Sequence, residues 1–153
     1  MEQVADENIE VRVNALKVLC DEFQNPYSIF GCAQAGVMAI LRDMVTDPDY
    51  TTRALASQAL ALAATDANGI SALIQDEAVS GMLDGRDDPS ATVRGNIYEC
   101  LYNMTRTQEG VEACCNAGVT QVFVEKLPNE SDLLKPTILK ALHNIVASEK
   151  GLS

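Results

Sequence analysis

His143 is the residue in this sequence best suited to acid–base catalysis, and it is the only histidine. An imidazole acts as a general base when a nucleophile or a carboxylate stands at a productive spacing, and no serine or aspartate forms such a pair with it. The sequence also contains neither a GxGxxG loop nor a Walker motif, which are common phosphate-binding signatures. We therefore predict that the chain is not an enzyme and takes no small-molecule substrate.

Five cysteines offer the other reactive chemistry, namely Cys20, Cys32, Cys100, Cys114 and Cys115. They form no CxxC pair, and a zinc site needs several spaced thiolate or imidazole ligands. We predict no metal and no cofactor, with the thiols reduced. Four of the cysteines stand where other copies of the repeat described below carry apolar or small residues, which predicts core positions. A redox-active Cys114-Cys115 pair is the alternative.

A repeat of 41 residues organises the whole sequence. Basic residues recur at this spacing at Arg12, Arg53, Arg94 and Lys135, and a leucine follows each of them seven residues later. A gapless period of this length is the signature of a helical solenoid. We predict a single array over residues 1–153, with a partial repeat at 1–10, units that start near 11, 52, 93 and 134, and the last unit incomplete.

Each unit has the pattern of one long and two short helices. In the second unit, TTRALASQALALAATD predicts the long helix, and ISALIQD and AVSGMLD predict the short ones. An aspartate at the N-cap followed by proline at the first helical position is a favourable helix start. We therefore expect long helices to begin at Asp47-Pro48 and Asp88-Pro89.

The turn between the two short helices contains glycine in two units, at Gly36 and Gly118. Glycine commonly ends a helix because it adopts the left-handed conformation without strain. Glu77 occupies the equivalent position in the second unit, which predicts a different turn there.

Helical spacing divides the long helix into two faces. Positions three, six, seven and ten after the basic residue form an apolar stripe, which predicts the core. In the last three units these residues are Ala56, Ala59, Leu60, Ala63, Ile97, Cys100, Leu101, Met104, Ile138, Ala141, Leu142 and Ile145.

Positions one, five, eight and twelve point to another side of the helix, flanked by position nine. We predict that this side binds a partner. Its candidate residues are Gln58, Glu99, Tyr102, Asn103, Arg106, Lys140, His143 and Asn144. The alternative is that these side chains are solvated or bonded within the chain.

Charge and composition limit the classes of partner. With 22 acidic and 11 basic residues the formal net charge is −11, whereas nucleic-acid binding requires clustered lysine and arginine. No apolar run approaches the about 20 residues that span a bilayer, and the acidic N-terminus is unlike a secretory leader. We expect a soluble, intracellular protein that binds neither nucleic acid nor membrane and whose partners are other proteins.

The sequence ALHNI at 141–145 and the AGV turns at 35–37 and 117–119 resemble the armadillo repeat. The resemblance implies an all-α, right-handed superhelical solenoid of three to four repeats, whose third helices line a concave groove. HEAT repeats, with two helices per unit, are the alternative. The resemblance also implies that Asn103 and Asn144 bond the backbone of an extended ligand. Armadillo proteins that bind basic nuclear-localisation peptides place tryptophan nearby, and because this sequence has none, we do not expect that ligand class.

The first unit resembles more closely the armadillo family of the ciliary radial spoke head, chiefly through the LCD…P sequence from Leu19 to Pro26. This resemblance implies a non-enzymatic scaffold in the cytoskeleton of motile cilia or flagella, the axoneme, where it would hold neighbouring spoke subunits. A cytosolic adaptor that binds extended peptides is the alternative. Both ends of the sequence cut through a unit, so we expect exposed apolar surface there, which favours a subunit packed in a large assembly.

Overall fold

The computed structural model describes residues 3–152 and the side chains of residues 3–148. Within this range the fold is all-helical, with ten α-helices, one short 3-10 helix at Leu127–Asn129 and no strand. The α-helices are α1 (Ile9–Glu22), α2 (Pro26–Gln34), α3 (Val37–Met44), α4 (Tyr50–Ala63), α5 (Ala67–Gln75), α6 (Ala78–Leu83), α7 (Ala91–Met104), α8 (Gln108–Asn116), α9 (Val119–Lys126) and α10 (Lys135–Leu152).

Each of the first three units contains one long helix and two short ones, as the armadillo resemblance implies, and the fourth is represented by the long helix α10. The long helices α1, α4, α7 and α10 pack against one another in chain order. The first short helices, α2, α5 and α8, also pack in order, and α3 packs on α6. Residues 41 apart therefore lie side by side in neighbouring units, so a side chain that recurs at this spacing forms a row across the molecule.

The predicted apolar stripe forms the core. Its residues in α4, α7 and α10 are buried, except for Leu142, which is half-buried against the core. Each unit covers the apolar face of the next, and removing apolar surface from water stabilises the fold by about 25 cal/mol per Å². The prediction of the core from helical spacing is therefore confirmed.

The expected starts of the long helices are wrong by two residues. The N-caps are Asp49 and Ser90, whose side chains accept hydrogen bonds from the Thr52 and Thr92 amides. Asp47 and Asp88 instead accept a hydrogen bond from the amide two residues later, at 2.8 and 2.9 Å. The carboxylates of these aspartates also pair with arginines of the preceding unit. The aspartates therefore belong to the turn before the helix and do not cap it.

Those arginines are the basic residues that mark the 41-residue period. Arg53 Nε lies 2.8 Å from Asp88 Oδ2, and Arg94 Nη2 lies 2.9 Å from Glu130 Oε1; the Arg12–Asp47 pair is longer, at 3.4 Å. Arg53 Nη1 also donates to the Asp47 carbonyl, at 3.1 Å. We call this row the arginine ladder, because each arginine links the turn before its own helix to the turn before the next long helix.

The turn at Glu77 does not differ from the glycine turns. Its φ is 54°, against 77° for Gly36 and 81° for Gly118, so all three residues adopt the left-handed conformation. A side chain at this φ costs about 1 kcal/mol, because Cβ crowds the following carbonyl. Packing of α5 and α6 against the neighbouring units therefore imposes the turn where the sequence does not favour it.

No helix in the described part of the chain is both long and apolar enough to cross a membrane.

Candidate functional site

The predicted binding residues occupy one side of the long helices, which we call the long-helix face. Five of them are solvent-exposed there: Gln58, Glu99, Arg106, Lys140 and His143. Tyr102 and Asn144 are half-buried, and Asn103 is buried, with 6% of its surface exposed. The face is presented to solvent because the short helices pack on the other side of the long ones.

Three of the predicted residues meet in a cleft of about 520 Å³ where α7 and α8 face α10. We call it the α7–α10 cleft. Its lining consists of Tyr102, Thr105, Arg106, Thr107, Gln108, Val111, Asn144, Ala147 and Ser148. Gln58, Glu99 and His143 lie outside this lining, so the structure divides the predicted set into a cleft and a surrounding surface.

Lys140 borders the cleft through a cation–π contact. Its Nζ lies 5.7 Å from the centre of the Tyr102 ring, within the range in which the ring quadrupole attracts an ammonium group. Arg106 follows Tyr102 by one helical turn and is exposed. Two cations therefore flank one aromatic ring on the long-helix face.

Asn144 is held by a short chain of hydrogen bonds inside the cleft. Its Nδ2 lies 3.1 Å from Thr105 Oγ1, to which it donates, and the Thr105 hydroxyl donates to the Tyr102 carbonyl at 2.6 Å. A carboxamide offers two donor hydrogens and an acceptor oxygen. The side chain is thus oriented and keeps hydrogen-bonding capacity for a ligand.

Asn103 is used within the chain. Its Nδ2 donates to the Ala61 carbonyl at 3.1 Å and so joins α7 to α4. Among the described residues nothing donates to its carboxamide oxygen, so a contact with a ligand backbone would use that oxygen. Its assignment as a ligand residue stays a prediction, whereas its role in joining two units is visible in the structure.

Sequence reasoning missed several polar residues that join the units. Asn96 Nδ2 donates to the Ala54 carbonyl and to Ser57 Oγ, both at 3.1 Å. The carboxylates of the arginine ladder were also missed, although an acidic residue follows each of the three arginines by 35 or 36 positions. The positions equivalent to Asn96 are Asn14, Leu55 and Thr137, so the carboxylates left the more regular periodic signal.

Glu130 is the most strongly perturbed carboxylate of the ladder. Burial alone would raise its pKa, but hydrogen bonds from Arg94, Tyr98 and the Ser131 amide lower its pKa to about 2. Tyr98 Oη donates to Glu130 Oε2 at 2.6 Å, and burial raises the pKa of this tyrosine. Both side chains lie away from the long-helix face, so the cluster serves to lock α7 to the turn before α10.

The cysteines follow the predicted pattern of core positions. Cys20, Cys32, Cys100 and Cys114 are buried, and Cys115 is exposed. Burial raises the pKa of Cys20 to about 11 and that of Cys114 to about 12. Among the described residues, no three His, Cys, Asp or Glu side chains are grouped closely enough to hold a metal ion.

A second, apolar cleft of about 540 Å³ lies at the other end of the array, between α1 and α2. Val11, Ala15 and Val18 line it. Their equivalents one unit later, Thr52, Ala56 and Ala59, are buried, since the preceding long helix covers them. The apolar surface expected at this end is therefore present.

No family model matches the sequence. Among solved structures, a designed armadillo repeat protein in complex with the peptide (KR)4 superposes with a TM-score of 0.88 at 22% identity over 99% of this chain. Computationally designed armadillo repeat proteins for modular peptide recognition superpose with a TM-score of 0.88 at 23% identity over 99% of this chain. Another designed armadillo repeat protein superposes with a TM-score of 0.84 at 21% identity over 94% of this chain. The chain has the armadillo fold.

The right-handed solenoid with three helices per unit is thereby established, and the HEAT alternative is excluded. This chain spans 62 to 66% of the lengths of those designed armadillo proteins. At these identities the likeness concerns the armadillo fold itself. None of the comparisons connects the chain with the radial spoke head.

Proposed function

We propose that this chain is a non-enzymatic scaffold for protein–protein interaction that holds an extended segment of a partner along the long-helix face. The observation that carries the proposal is the α7–α10 cleft, where Tyr102, Arg106 and Asn144 converge. An aromatic ring, an exposed guanidinium and an oriented carboxamide are suited to side chains and backbone of an extended peptide. A designed protein of the same fold is in complex with a peptide, which supports a peptide-binding role for this chain.

Peptides selected from a random linear library against the immobilised chain supply the probe for a direct test. We expect a selected peptide to shift the backbone amide resonances of α7 and α10 in NMR spectra. Replacing Asn144 by Ala should weaken binding severalfold, because one hydrogen bond contributes about 1 kcal/mol. Asn116→Ala is the matched control, since Asn116 is exposed on the short helix α8.

Wild-type affinity in Asn144→Ala, or resonance shifts confined to the short helices, would contradict the proposal.

Asn103→Ala tests the stability of the array and not its binding. Because Asn103 bonds the Ala61 carbonyl in a buried position, its loss should lower the free energy of unfolding by about 1 kcal/mol in urea denaturation. Unchanged stability would show that this bond does not hold α7 to α4.

The finer proposal is that the scaffold is a structural subunit of the ciliary or flagellar axoneme, in the radial spoke. It rests on the resemblance of the first unit. The partners would be other spoke proteins. A cytosolic adaptor for extended peptides is the second candidate, favoured by the solvent-exposed long-helix face.

Mass spectrometry of proteins that co-purify with the tagged chain after salt extraction of axonemes separates the two candidates. The axonemal proposal expects stoichiometric radial-spoke subunits. Recovery from the cytosolic fraction alone, with substoichiometric clients, would leave the adaptor.

A further inference from the structure

The pairing of cations is uneven across the molecule. Of the ten lysine and arginine side chains that the structure describes, six form an ion pair within 4 Å, namely Arg12, Arg42, Arg53, Arg94, Lys126 and Lys135. The other four are Lys17, Arg86, Arg106 and Lys140. Three of these four lie on the long-helix face, and Arg86 follows the short helix α6.

The unpaired cations belong to an acidic chain. Acidic residues outnumber basic ones by 22 to 11, and most of the described cations pair with a carboxylate. Among the described side chains, no carboxylate forms an ion pair with Arg106 or Lys140 at the α7–α10 cleft. The exposed carboxylates nearest in sequence are Glu99, one turn before Tyr102, and Glu109, three residues after Arg106, and neither forms an ion pair among the described residues.

The two cations are also placed for a specific contact. The Tyr102 ring holds the Lys140 ammonium at one side, and a guanidinium such as that of Arg106 can bind a carboxylate through two parallel hydrogen bonds. Glu99 disfavours a second carboxylate at its own level of the face, since like charges repel. A bound acidic side chain would therefore lie on the Arg106 side of Tyr102.

We infer that the segment bound at the α7–α10 cleft is acidic, with an aspartate or glutamate side chain at Arg106 and its backbone at Asn144, while Lys140 adds to the positive charge of the cleft. This inference rests on the proposed function and adds the chemistry of the ligand to it. The two cations would repel a basic peptide at this cleft.

The test compares the composition of peptides selected from a random linear library by the wild-type chain and by the double variant Arg106→Gln/Lys140→Gln. We expect aspartate and glutamate to be enriched by the wild type and not by the variant. A synthetic selected peptide should bind the variant about tenfold more weakly in fluorescence polarisation, and added salt should weaken wild-type binding.

Arg86→Gln is the matched control for Arg106→Gln, since each substitution removes one cation that forms no ion pair among the described residues. Arg86→Gln should retain wild-type affinity, and Arg106→Gln should lose it severalfold. Enrichment of neutral or basic peptides that still shift the amides of α7 and α10 would overturn the acidic ligand and leave the scaffold function standing. If no selected peptide shifts those amides, both proposals fail.

Discussion

Glu130 illustrates how single residues fasten the units of this solenoid. Its side chain is only 3% exposed, yet it accepts hydrogen bonds from Arg94, Tyr98 and the Ser131 amide. A buried carboxylate is costly unless charged and polar groups surround it. The surrounding donors therefore make its ionised form the stable one, which gives this contact a dependence on pH.

The first prediction concerns Glu130→Gln. Because folding lowers the pKa of Glu130 from 4.5 to about 2, its carboxylate stabilises the fold fully above about pH 5. That contribution is lost as the pH falls through the range between the two values. At pH 7 the variant should lose about 2 kcal/mol of unfolding free energy, measured by urea denaturation, and the difference from wild type should shrink from pH 5 towards pH 2. A difference that stays constant over this range would contradict the assignment.

The thiols give a second prediction at the residue scale. Only the thiolate reacts with disulfide reagents, and burial raises the pKa of Cys20, Cys100 and Cys114. We expect one of the five cysteines to react rapidly with a chromogenic disulfide in the folded protein at pH 8, and all five in urea. Cys115→Ser should remove the rapid phase, and a rapid thiol that persists in this variant would show an opening of the core.

At the scale of helices and turns, the turn between the two short helices recurs in three units. Its left-handed residue is glycine in two of them and glutamate in the third. Gly118→Ala should lower the free energy of unfolding by about 1 kcal/mol, because alanine is strained at a φ of 81°. Gly31→Ala is the matched control, since Gly31 lies within α2 with open space around the added methyl group. The control should raise stability by about 0.5–1 kcal/mol. Equal effects at the two positions, measured by thermal unfolding, would contradict this account.

Helix identity and core were predictable because both follow from local spacing. The apolar stripe recurs every three to four residues, and burial of that stripe is the main driving force for stacking.

The residues at which the long helices start were not predictable from local spacing. Asp47 suits an N-cap in isolation, but its carboxylate is held by its pair with Arg12, a contact between residues 35 positions apart. Asp49, two residues later, caps the helix instead.

The candidate site was predictable only in outline. Helical angles placed Arg106, Lys140 and Tyr102 on one face, because that placement depends on position within a helix. They did not reveal that Asn103 is turned towards Ala61 while the equivalent Asn144 lines a cleft. Equivalent positions differ here because their neighbours do: α7 packs between α4 and α10, whereas within the described residues α10 packs against a long helix on one side only.

At the scale of the whole molecule, stability depends on neighbouring units. Within the described residues α4 and α7 each pack against a long helix on both sides, whereas α1 and α10 each have one such neighbour. In a solenoid each unit is stabilised by its own contacts and by those with adjacent units. We therefore expect amide hydrogen exchange in α4 and α7 to be about tenfold slower or more than in α1 and α10, measured by mass spectrometry of peptic fragments. Similar rates in all four helices would indicate that the array unfolds as one cooperative body.

The arginine ladder also limits how such a chain can change in length. The segment 53–93 contains both Arg53 and Asp88, and the next segment begins with Arg94. Duplication or excision of one whole segment of 41 residues would carry a complete ion pair with it and leave the remaining pairs intact. Spacings of 35 and 36 residues both allow the pair to form, whereas an insertion of many residues between an arginine and its carboxylate would separate the partners. Growth of this protein by whole segments is therefore compatible with its electrostatic contacts.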